Sequence, residues 1–581
     1  MLAQIELRGF KAFSSDEAVQ VPLRRLTFLF GPNSSGKSAI FQALLSLKQS
    51  WTALGTMDRL ATRGHETDAG EFASTIFAGL SESSVAGLPE PGDDDQDSQP
   101  SGSEDLDNHL FGDEEGSRRT MTLTLERHER ARRSSRLSFT YGQAATRAAF
   151  AAASGILEHL EMQHPLLDDT VFHAGTVAFV PTPPQADDMD QVDFAHMVLG
   201  QEETERLLQL AAPEGHIRSA LRESLTITLH LPKQPDQDLG WSVMFASATF
   251  EAALRADREP NDELEAEVAE ALAAAQHAAD MLMEALTPTT RAQATSESER
   301  VCDLLDRAVR EVLKEFRREL VDVGHIGGLR ERGHWSYPLH SADKPVFAGR
   351  HGERVADMLV QSDELVTTAG DLFSYLLPKT RLRFVPVADD GMGEQRARVL
   401  FDFTLGSESR SHEDGPYITS SLPSLGTGVS QVFPIVVQLA AALTPGFFQR
   451  PPLFLIEQPE LHLHPRLQAR LARALVDTAL GRLSSRTETG WDAASTALRS
   501  GPGAQILIET HSEHLILAAS NLIRQGALSH TDAIVLVIER DDERGSSRIR
   551  EVLFDPNGDL VGEWPGGFFE ERFHLLEGED V

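Results

Sequence analysis

The chain has almost no cysteine and no long hydrophobic run. Cys302 is the single cysteine among 581 residues, which excludes an internal disulfide and a zinc site built from several cysteines. No apolar run approaches the roughly 20 residues that a membrane-spanning helix needs. The N-terminus runs directly into a strand pattern, without the features of a signal peptide. We therefore expect a cytoplasmic protein with no membrane partner.

Basic residues are also scarce relative to acidic ones. The 53 Lys and Arg against 89 Asp and Glu give a net charge of −36, which opposes nonspecific adhesion to nucleic acid. The excess is concentrated in residues 81–117, which are rich in Ser, Gly and Pro and contain no Lys or Arg. Such a segment cannot bury enough apolar surface to order itself. We predict a disordered acidic insert, either a solvated linker or a nucleic-acid mimic that guards a basic groove.

A glycine-rich loop follows the strand pattern of residues 25–30. The pattern G-x-x-x-x-G-K-S lies here between a strand and a helix. Its residues are Gly31, Pro32, Asn33, Ser34, Ser35, Gly36, Lys37 and Ser38. Glycines let the backbone approach phosphates, and the loop N–H groups with the helix N-terminus stabilise negative charge. We predict that Lys37 binds the β and γ phosphates of a nucleotide and that the Ser38 hydroxyl binds Mg²⁺.

A second apolar run, residues 453–456, ends in Glu457, Gln458, Pro459 and Glu460. Continuous apolar residues predict a buried parallel strand. That strand would place Glu457 at the C-terminal edge of a sheet, where α/β proteins bind ligands. A carboxylate there would hold Mg²⁺, usually through water. A core strand that ends in a solvated acid is the alternative.

Two weaker patterns accompany these motifs. Gly426, Thr427 and Gly428 open an apolar helix, which indicates either an anion site or a simple glycine-rich cap. The strand pattern of residues 504–508 leads to His511. A histidine there can hydrogen-bond a γ-phosphate or an attacking water, whereas an isolated histidine is more often packed or capping. Because the P-loop pattern and Glu457 occur in the same chain, we favour the functional interpretation of both the glycine-rich helix start and His511.

With these four motifs in order, the chain resembles the ABC-type ATPases of the SMC and RecF kind, and more narrowly the OLD-like ATPases of bacterial anti-phage systems. The resemblance covers about the first 80 residues and everything after about Gly324. Residues 31–38 look like Walker A, residues 453–457 like Walker B, and residues 426–428 like a degenerate signature motif. Residues 461–465 are similar to the D-loop, and His511 occupies the H-switch position.

This resemblance implies a homodimer or higher oligomer that binds ATP and Mg²⁺ between its heads. The signature motif of one subunit would close over the γ-phosphate held by the P-loop of another. The family places a catalytic Glu after the metal-binding acid, and Gln458 stands at that position here. An amide cannot accept a proton as a general base, although it can orient water. We expect slow hydrolysis, with Glu460 and His511 as neighbouring groups that could substitute.

The resemblance also implies the fold: an α/β ABC-type ATPase head with a P-loop parallel sheet, an antiparallel β lobe, a helical insertion and the disordered acidic insert. The predicted segments are an N-terminal lobe with Walker A (1–80), the acidic insert (81–117), the antiparallel β lobe (118–248), a helical arm (249–320), a lobe connection (321–420), and a C-terminal lobe with the remaining motifs and a Trp-Pro cap (421–581). Alternating patterns predict two hairpins, of residues 121–125 with 136–141 and of 224–231 with 241–245.

The chain lacks room for the Toprim nuclease domain of the OLD nucleases. Only about 40 residues follow the strand pattern of residues 533–538, less than a small domain. We therefore expect a separately encoded effector nuclease, as in Septu-type anti-phage systems, with this chain as sensor or regulator. An ATP-gated clamp with negligible hydrolysis, and a RecF-like repair ATPase that binds nucleic acid, are the alternatives. Arg330, beside a Gly-Gly turn, could reach a phosphate or make a structural contact.

Overall fold

The structure is a computed structural model that describes residues 1–51, 59–62, 66–69, 75, 120–128, 134–142, 154–163, 176–178, 194–198, 225–230, 240–245, 314–340, 344–387, 395–404, 417–483, 486–487, 490–491, 499–541 and 545–562. The predicted acidic insert, the Trp-Pro cap and most of the helical arm lie outside these residues. The last part of the arm, residues 314–320, is helical. Within the described residues, no helix combines the length and the apolar character needed to cross a membrane.

A seven-stranded mixed sheet carries the P-loop. In spatial order its strands are β12 (Val323–Ile326), β17 (Leu453–Glu457), β22 (Gln505–Glu509), β3 (Leu26–Phe30), β23 (Ala533–Asp541), β24 (Ser546–Phe554) and β25 (Leu560–Val561). The pairings from β12 to β23 are parallel, and the last two pairings are antiparallel. β3 and β22 are buried along their whole length, as expected for central strands of a parallel sheet.

Besides the helical residues 314–320, the described residues contain six α-helices. They are α1 (Lys37–Gln49), α2 (Val355–Leu359), α3 (Asp363–Leu376), α4 (Thr427–Leu443), α5 (Pro465–Ala479) and α6 (Glu513–Arg524), with short 3-10 turns at Leu422–Ser424 and His530–Asp532. Residues of α3, α4, α5 and α6 share one apolar core with the central strands. Ser362 and Ser512 cap α3 and α6, because each hydroxyl accepts a hydrogen bond from the backbone three residues on.

An antiparallel ten-stranded sheet forms a second layer of the fold. Its strands are β1 (Leu2–Arg8), β2 (Val19–Pro22), β4 (Arg59–Ala61), β5 (Thr120–His128), β6 (Ser134–Gly142), β7 (Ser154–Gln163), β8 (Thr176–Ala178), β9 (Phe194–Val198), β10 (Leu225–His230) and β11 (Gly240–Phe245). Both predicted hairpins are confirmed, because β5 pairs with β6 and β10 pairs with β11. The predicted α/β class, a parallel P-loop sheet with an antiparallel lobe, is confirmed as well.

A third, smaller sheet leads into the glycine-rich start of α4. It consists of β13 (Tyr337–Pro338), β14 (Thr380–Val387), β15 (Arg396–Thr404) and β16 (Tyr417–Ser421). Two short ribbons complete the described strands, β18 (Arg482–Leu483) with β21 (Arg499–Ser500), and β19 (Arg486–Thr487) with β20 (Gly490–Trp491). β16 ends at Ser421, the 3-10 turn Leu422–Ser424 follows, and α4 begins at Thr427. The third sheet therefore positions the start of α4.

Candidate functional site

The predicted motifs converge at the carboxyl ends of β3, β17 and β22. In the parallel register, Glu457 lies opposite Glu509, and Glu509 lies opposite Leu29. The backbone N–H of Thr510 also donates to the Leu29 carbonyl over 3.0 Å. The loop after β3, the acidic end of β17 and the residues before His511 therefore share one edge of the sheet. This is the edge at which α/β folds bind ligands.

The P-loop folds into a tight cradle with a glycine at each end. Gly31 and Gly36 have φ angles of 148° and 99°, which only glycine adopts without strain. A Cβ at Gly31 would also collide with the Ile538 carbonyl oxygen of neighbouring β23. Pro32, Asn33 and Ser34 are exposed, whereas Ser35 is buried and its hydroxyl has no hydrogen-bond partner among the described residues. The close packing explains why this turn needs glycine at both ends.

Lys37 is held by the loop itself. Its Nζ donates to the carbonyl oxygens of Gly31 at 3.0 Å and Pro32 at 2.6 Å. Burial lowers the pKa of Lys37, and the negative charge of Glu509 opposes that change. A buried ammonium group gains from any anion that enters the cradle. The Lys37 side chain is therefore placed to exchange two loop carbonyls for phosphate oxygens.

Glu509 is a site residue that the motif analysis missed. The Ser38 hydroxyl donates to its Oε2 over 2.8 Å. Burial raises the pKa of Glu509, the Ser38 hydrogen bond opposes the rise, and the nearby charge of Glu457 adds to it. The sequence did contain a signal for this residue. Glu509 ends an apolar strand just before His511, in the same way that Glu457 ends the apolar strand β17.

Glu457 is hydrogen-bonded to residues of β12 and of the turn that follows it. The His325 ring donates from Nε2 to Oε1 over 2.9 Å, and the Gly328 N–H donates to Oε2 over 3.1 Å. Burial alone would raise the pKa of Glu457, but these hydrogen bonds and the nearby Arg350 charge lower it. Glu457 is thus an ionised carboxylate with both oxygens satisfied. His325 was not predicted as a site residue.

Arg330 fixes the backbone around Gln458. Its guanidinium donates to the carbonyl oxygens of Gly327 at 2.9 Å, Glu457 at 2.9 Å and Gln458 at 3.0 Å. Burial lowers the pKa of Arg330 to about 10, while Glu460 and Glu457 oppose the change. Of the two roles considered for Arg330, the structure favours the structural contact. Gln458 itself has a φ of 41°, a left-handed conformation that costs a non-glycine residue about 1 kcal/mol.

Glu460 and His511 contact each other through the backbone. The His511 N–H donates to Glu460 Oε1 over 2.8 Å, and Oε2 is buried without a hydrogen-bond partner among the described residues. Burial raises the pKa of Glu460. Burial, together with the positive charge of Lys37, lowers the pKa of His511. The imidazole is therefore neutral at neutral pH and able to accept a proton or a hydrogen bond.

The glycine-rich start of α4 lies at the surface of the described residues. Gly426 and Thr427 are exposed, and α4 begins at Thr427 without a side-chain cap. A Cβ at Gly428 would lie 2.6 Å from the carbonyl oxygen of His462, so this glycine packs on the segment after Glu460. Among the described residues, no hydrogen bond or ion pair joins Gly426, Thr427 or Gly428 to the P-loop of the same chain.

One glutamine connects α4 to the end of β17. Gln431 Nε2 donates to the Arg330 carbonyl over 2.8 Å, and the Arg330 N–H donates to Gln431 Oε1 over 3.2 Å. Arg330 in turn holds the carbonyls of Glu457 and Gln458. The glycine-rich helix start and the acidic strand end are thus mechanically coupled through two buried side chains.

The residues present fit a nucleotide with Mg²⁺. Ser38 Oγ and the Glu509 carboxylate, 2.8 Å apart, are hard oxygen donors of the kind that Mg²⁺ prefers. Within the described part of the chain, no group of three or more His, Cys, Asp or Glu forms a metal site. Mg²⁺ usually takes few protein ligands and completes its shell with phosphates and water. The predicted ligands Ser38 and Glu457, and the other predicted site roles, stay predictions.

Residues 344–518 match the family described as "AAA domain, putative AbiEii toxin, Type IV TA system". The matched segment contains the start of α4, the end of β17 and His511, but not the P-loop. No curated protein matches the chain.

Similar solved structures include SMC heads. An Smc head domain with an extended coiled coil bound to the C-terminal domain of ScpA, from Pyrococcus furiosus, is 12% identical with a TM-score of 0.36, over 99% of this chain and 98% of that one. The SMC head domain from Thermotoga maritima is 10% identical with a TM-score of 0.34, over 94% and 98%. Because both TM-scores are below 0.5, the function proposed next rests on the geometry of the site.

Proposed function

We propose that this chain is an ABC-type ATPase that dimerises around ATP and hydrolyses it slowly. The observation that carries the proposal is the shared sheet edge, where the P-loop, the β17 end at Glu457 and Gln458, and His511 meet. The match of residues 344–518 to an AAA domain supports the same function. The substrates are ATP and water.

Nucleotide binding uses groups that are already in place. The P-loop N–H groups and the start of α1 attract the phosphates, and Lys37 transfers its hydrogen bonds from Gly31 and Pro32 to phosphate oxygens. Mg²⁺ neutralises phosphate charge when it is bound, with Ser38 as its expected protein ligand. Lys37→Ala is therefore expected to abolish ATP binding in calorimetry, while its thermal unfolding in the absence of nucleotide stays close to that of the wild type.

Dimerisation follows from the position of the signature residues. Gly426 and Thr427 are exposed and have no hydrogen bond to the P-loop of their own chain within the described residues. This exposure leaves the segment available to a γ-phosphate held by Lys37 of a second copy, the arrangement of the ABC-type ATPases that the chain resembles. We expect ATP to raise the molar mass in light scattering from one copy to two. Thr427→Asp, which places a negative charge at an exposed helix start, is expected to prevent this dimer while leaving ATP binding intact.

Slow hydrolysis follows from Gln458. Its amide cannot accept a proton, and its backbone is held by Glu509 over 2.7 Å and by Arg330 over 3.0 Å. A positioned general base typically contributes about 10²- to 10⁴-fold to a rate. We expect Gln458→Glu to accelerate single-turnover ATP cleavage by at least about tenfold. Glu460→Gln serves as the control for removing a neighbouring carboxylate. An unchanged rate in Gln458→Glu would contradict the proposal.

The same amide supports a second candidate, an ATP-held clamp with negligible hydrolysis. In that case the ATP dimer of the wild type would persist for many times the lifetime of the Gln458→Glu dimer. Steady-state phosphate release with Lys37→Ala as the blank separates the two functions. Turnover above that blank identifies an ATPase, and its absence together with a stable dimer identifies a clamp.

We further propose that this ATPase regulates a separately encoded effector in anti-phage defence. We expect that effector to be a nuclease. The name of the matched family, which refers to a toxin of a toxin–antitoxin system, supports a defence setting. Co-purification of the wild type, but not of Lys37→Ala, with the product of a neighbouring nuclease gene would test this. ATP-dependent DNA binding by the isolated chain would favour the RecF-like repair function instead.

A further inference from the structure

The Ser38 hydroxyl already has a carboxylate partner, and that partner is not Glu457. Ser38 Oγ donates to Glu509 Oε2 over 2.8 Å. Ser38 is the second residue of α1, directly after Lys37. Glu509 is 7% exposed and lies at the end of the strand between β3 and β17. The contact therefore joins the P-loop to the central strand of the site.

Glu457 has a different set of partners. Its Oε1 accepts from His325 and its Oε2 from Gly328. Neither partner belongs to the P-loop, and both hydrogen bonds would have to break before Glu457 could turn toward Ser38. Breaking a hydrogen bond to a buried charged group is costly. The Glu457 side chain is thus held on the β12 side of the site, away from the P-loop strand β3.

The two carboxylates are nevertheless neighbours along the sheet edge. Glu457 and Glu509 occupy opposite register positions on adjacent parallel strands, and adjacent strands lie about 4.8 Å apart. Glu460 contributes a third carboxylate that acts on Glu509 electrostatically. Because like charges at this spacing repel, the edge favours a cation. Lys37 acts on Glu509, whereas Arg330 and Arg350 act on Glu457 and Glu460. A divalent ion beside Ser38 would therefore stabilise the charge of Glu509 above all.

We propose that Glu509, together with Ser38, forms the protein side of the magnesium site, and that Glu509 rather than Glu457 sets how strongly nucleotide binding depends on Mg²⁺. The inference rests on the proposed function, because the ion is bound with ATP. Glu509 acts on the ion directly or through one water. Glu457 acts as a positioning residue that holds the turn of Gly328 against the end of β17.

The test compares nucleotide affinity with and without Mg²⁺. Glu509→Gln keeps the size of the side chain and can keep the hydrogen bond to Ser38, but it removes the charge. ATP affinity is measured by calorimetry in excess Mg²⁺ and in EDTA, for the wild type, Glu509→Gln, Glu509→Asp and Glu460→Gln. Glu460→Gln is the matched control, because it removes a carboxylate from the same edge that contacts the His511 N–H.

We expect Glu509→Gln to lose about 10- to 100-fold of the affinity gained from Mg²⁺, the range typical of groups that support a metal site. Its affinity in EDTA should equal or exceed that of the wild type, since a negative charge near the phosphates is gone. Glu509→Asp should lose less, and Glu460→Gln should lose the least, because its carboxylate contacts the His511 N–H rather than Ser38. Electron paramagnetic resonance of Mn²⁺ with ADP should show the weakest ion binding in Glu509→Gln.

Two outcomes would overturn the inference. One is an unchanged Mg²⁺ dependence in Glu509→Gln, and the other is an equal loss in Glu460→Gln, which would show only a general charge effect. Failure of the proposed function has a different signature, namely wild-type chain that binds no ATP or binds it equally well as Lys37→Ala. Thermal unfolding of each variant without nucleotide verifies that the compared proteins are folded.

Discussion

Arg330 is the side chain whose replacement most directly tests how the site is built. It is 6% exposed and donates to three carbonyl oxygens, those of Gly327, Glu457 and Gln458. Its own backbone is bonded to Gln431 of α4. The perturbation is Arg330→Met, which keeps an unbranched apolar stem and removes the guanidinium. The change leaves three carbonyls at the end of β12 and β17 without their donor.

The expected loss follows from two opposing contributions. Hydrogen bonds from a charged donor contribute about 2 kcal/mol each, so three contribute on the order of 6 kcal/mol. Burial opposes this, because it outweighs the charges of Glu460 and Glu457 and lowers the pKa of Arg330 to about 10, a net shift that corresponds to about 3 kcal/mol. We therefore expect Arg330→Met to lower the free energy of unfolding by about 3 kcal/mol.

The assay is urea unfolding followed by circular dichroism. A loss of about 3 kcal/mol lowers the midpoint by about 1 M at an m-value of about 3 kcal/mol/M, and by less at the larger m-values of long chains. Arg524→Met is the matched control, because Arg524 also donates to a carbonyl and a carboxylate, at Asn557 and Asp559, but its side chain is 54% exposed. Arg524→Met should lower the free energy of unfolding by less than about 1 kcal/mol. Equal midpoints for the two variants would refute the role assigned to Arg330.

Three further substitutions test the packing around α4. Gly428→Ala is expected to destabilise the chain by about 1–3 kcal/mol through overpacking, because its Cβ would lie 2.6 Å from the His462 carbonyl oxygen. Gly426→Ala, with nothing within 4 Å of its Cβ, should be close to neutral, and similar melting temperatures for both would contradict the assignment. Gln438→Leu is expected to cost about 1–3 kcal/mol in urea unfolding, because it leaves the buried Ala348 N–H without its acceptor at 2.7 Å. An unchanged midpoint would show that this N–H finds another partner.

Local elements of the site were predictable because their signals are short-range. The P-loop lies between β3 and α1, the strand-loop-helix setting that its pattern implied. The strand that ends at Glu457 has the predicted bounds, since a run of apolar residues can be buried only within a sheet or core. Both hairpins also pair as their alternation indicated. In each case neighbouring residues carry the information, so spacing alone was sufficient.

The partners within the site were not predictable in the same way. His325 and Glu457 are separated by 132 residues, and Ser38 and Glu509 by 471. No periodicity reports on contacts at such distances. Arg330 had two open roles, and only the positions of three carbonyls around its guanidinium favour the structural one. Glu509 was not predicted, because a single acid at the end of a buried strand belongs to no motif of its own.

Sequence alone determined the chemical groups of this protein: a P-loop with Lys37 and Ser38, carboxylates at strand ends, a histidine at 511, and an amide at 458 where the resembled family has a base. Those features are local, and covalent neighbours specify them. Tertiary structure decided which groups work together. The strand order β12, β17, β22, β3 differs from the chain order, so it places Glu509 beside Ser38 and commits Glu457 to His325. Contacts between distant segments depend on that order, and it arises only when the whole sheet packs.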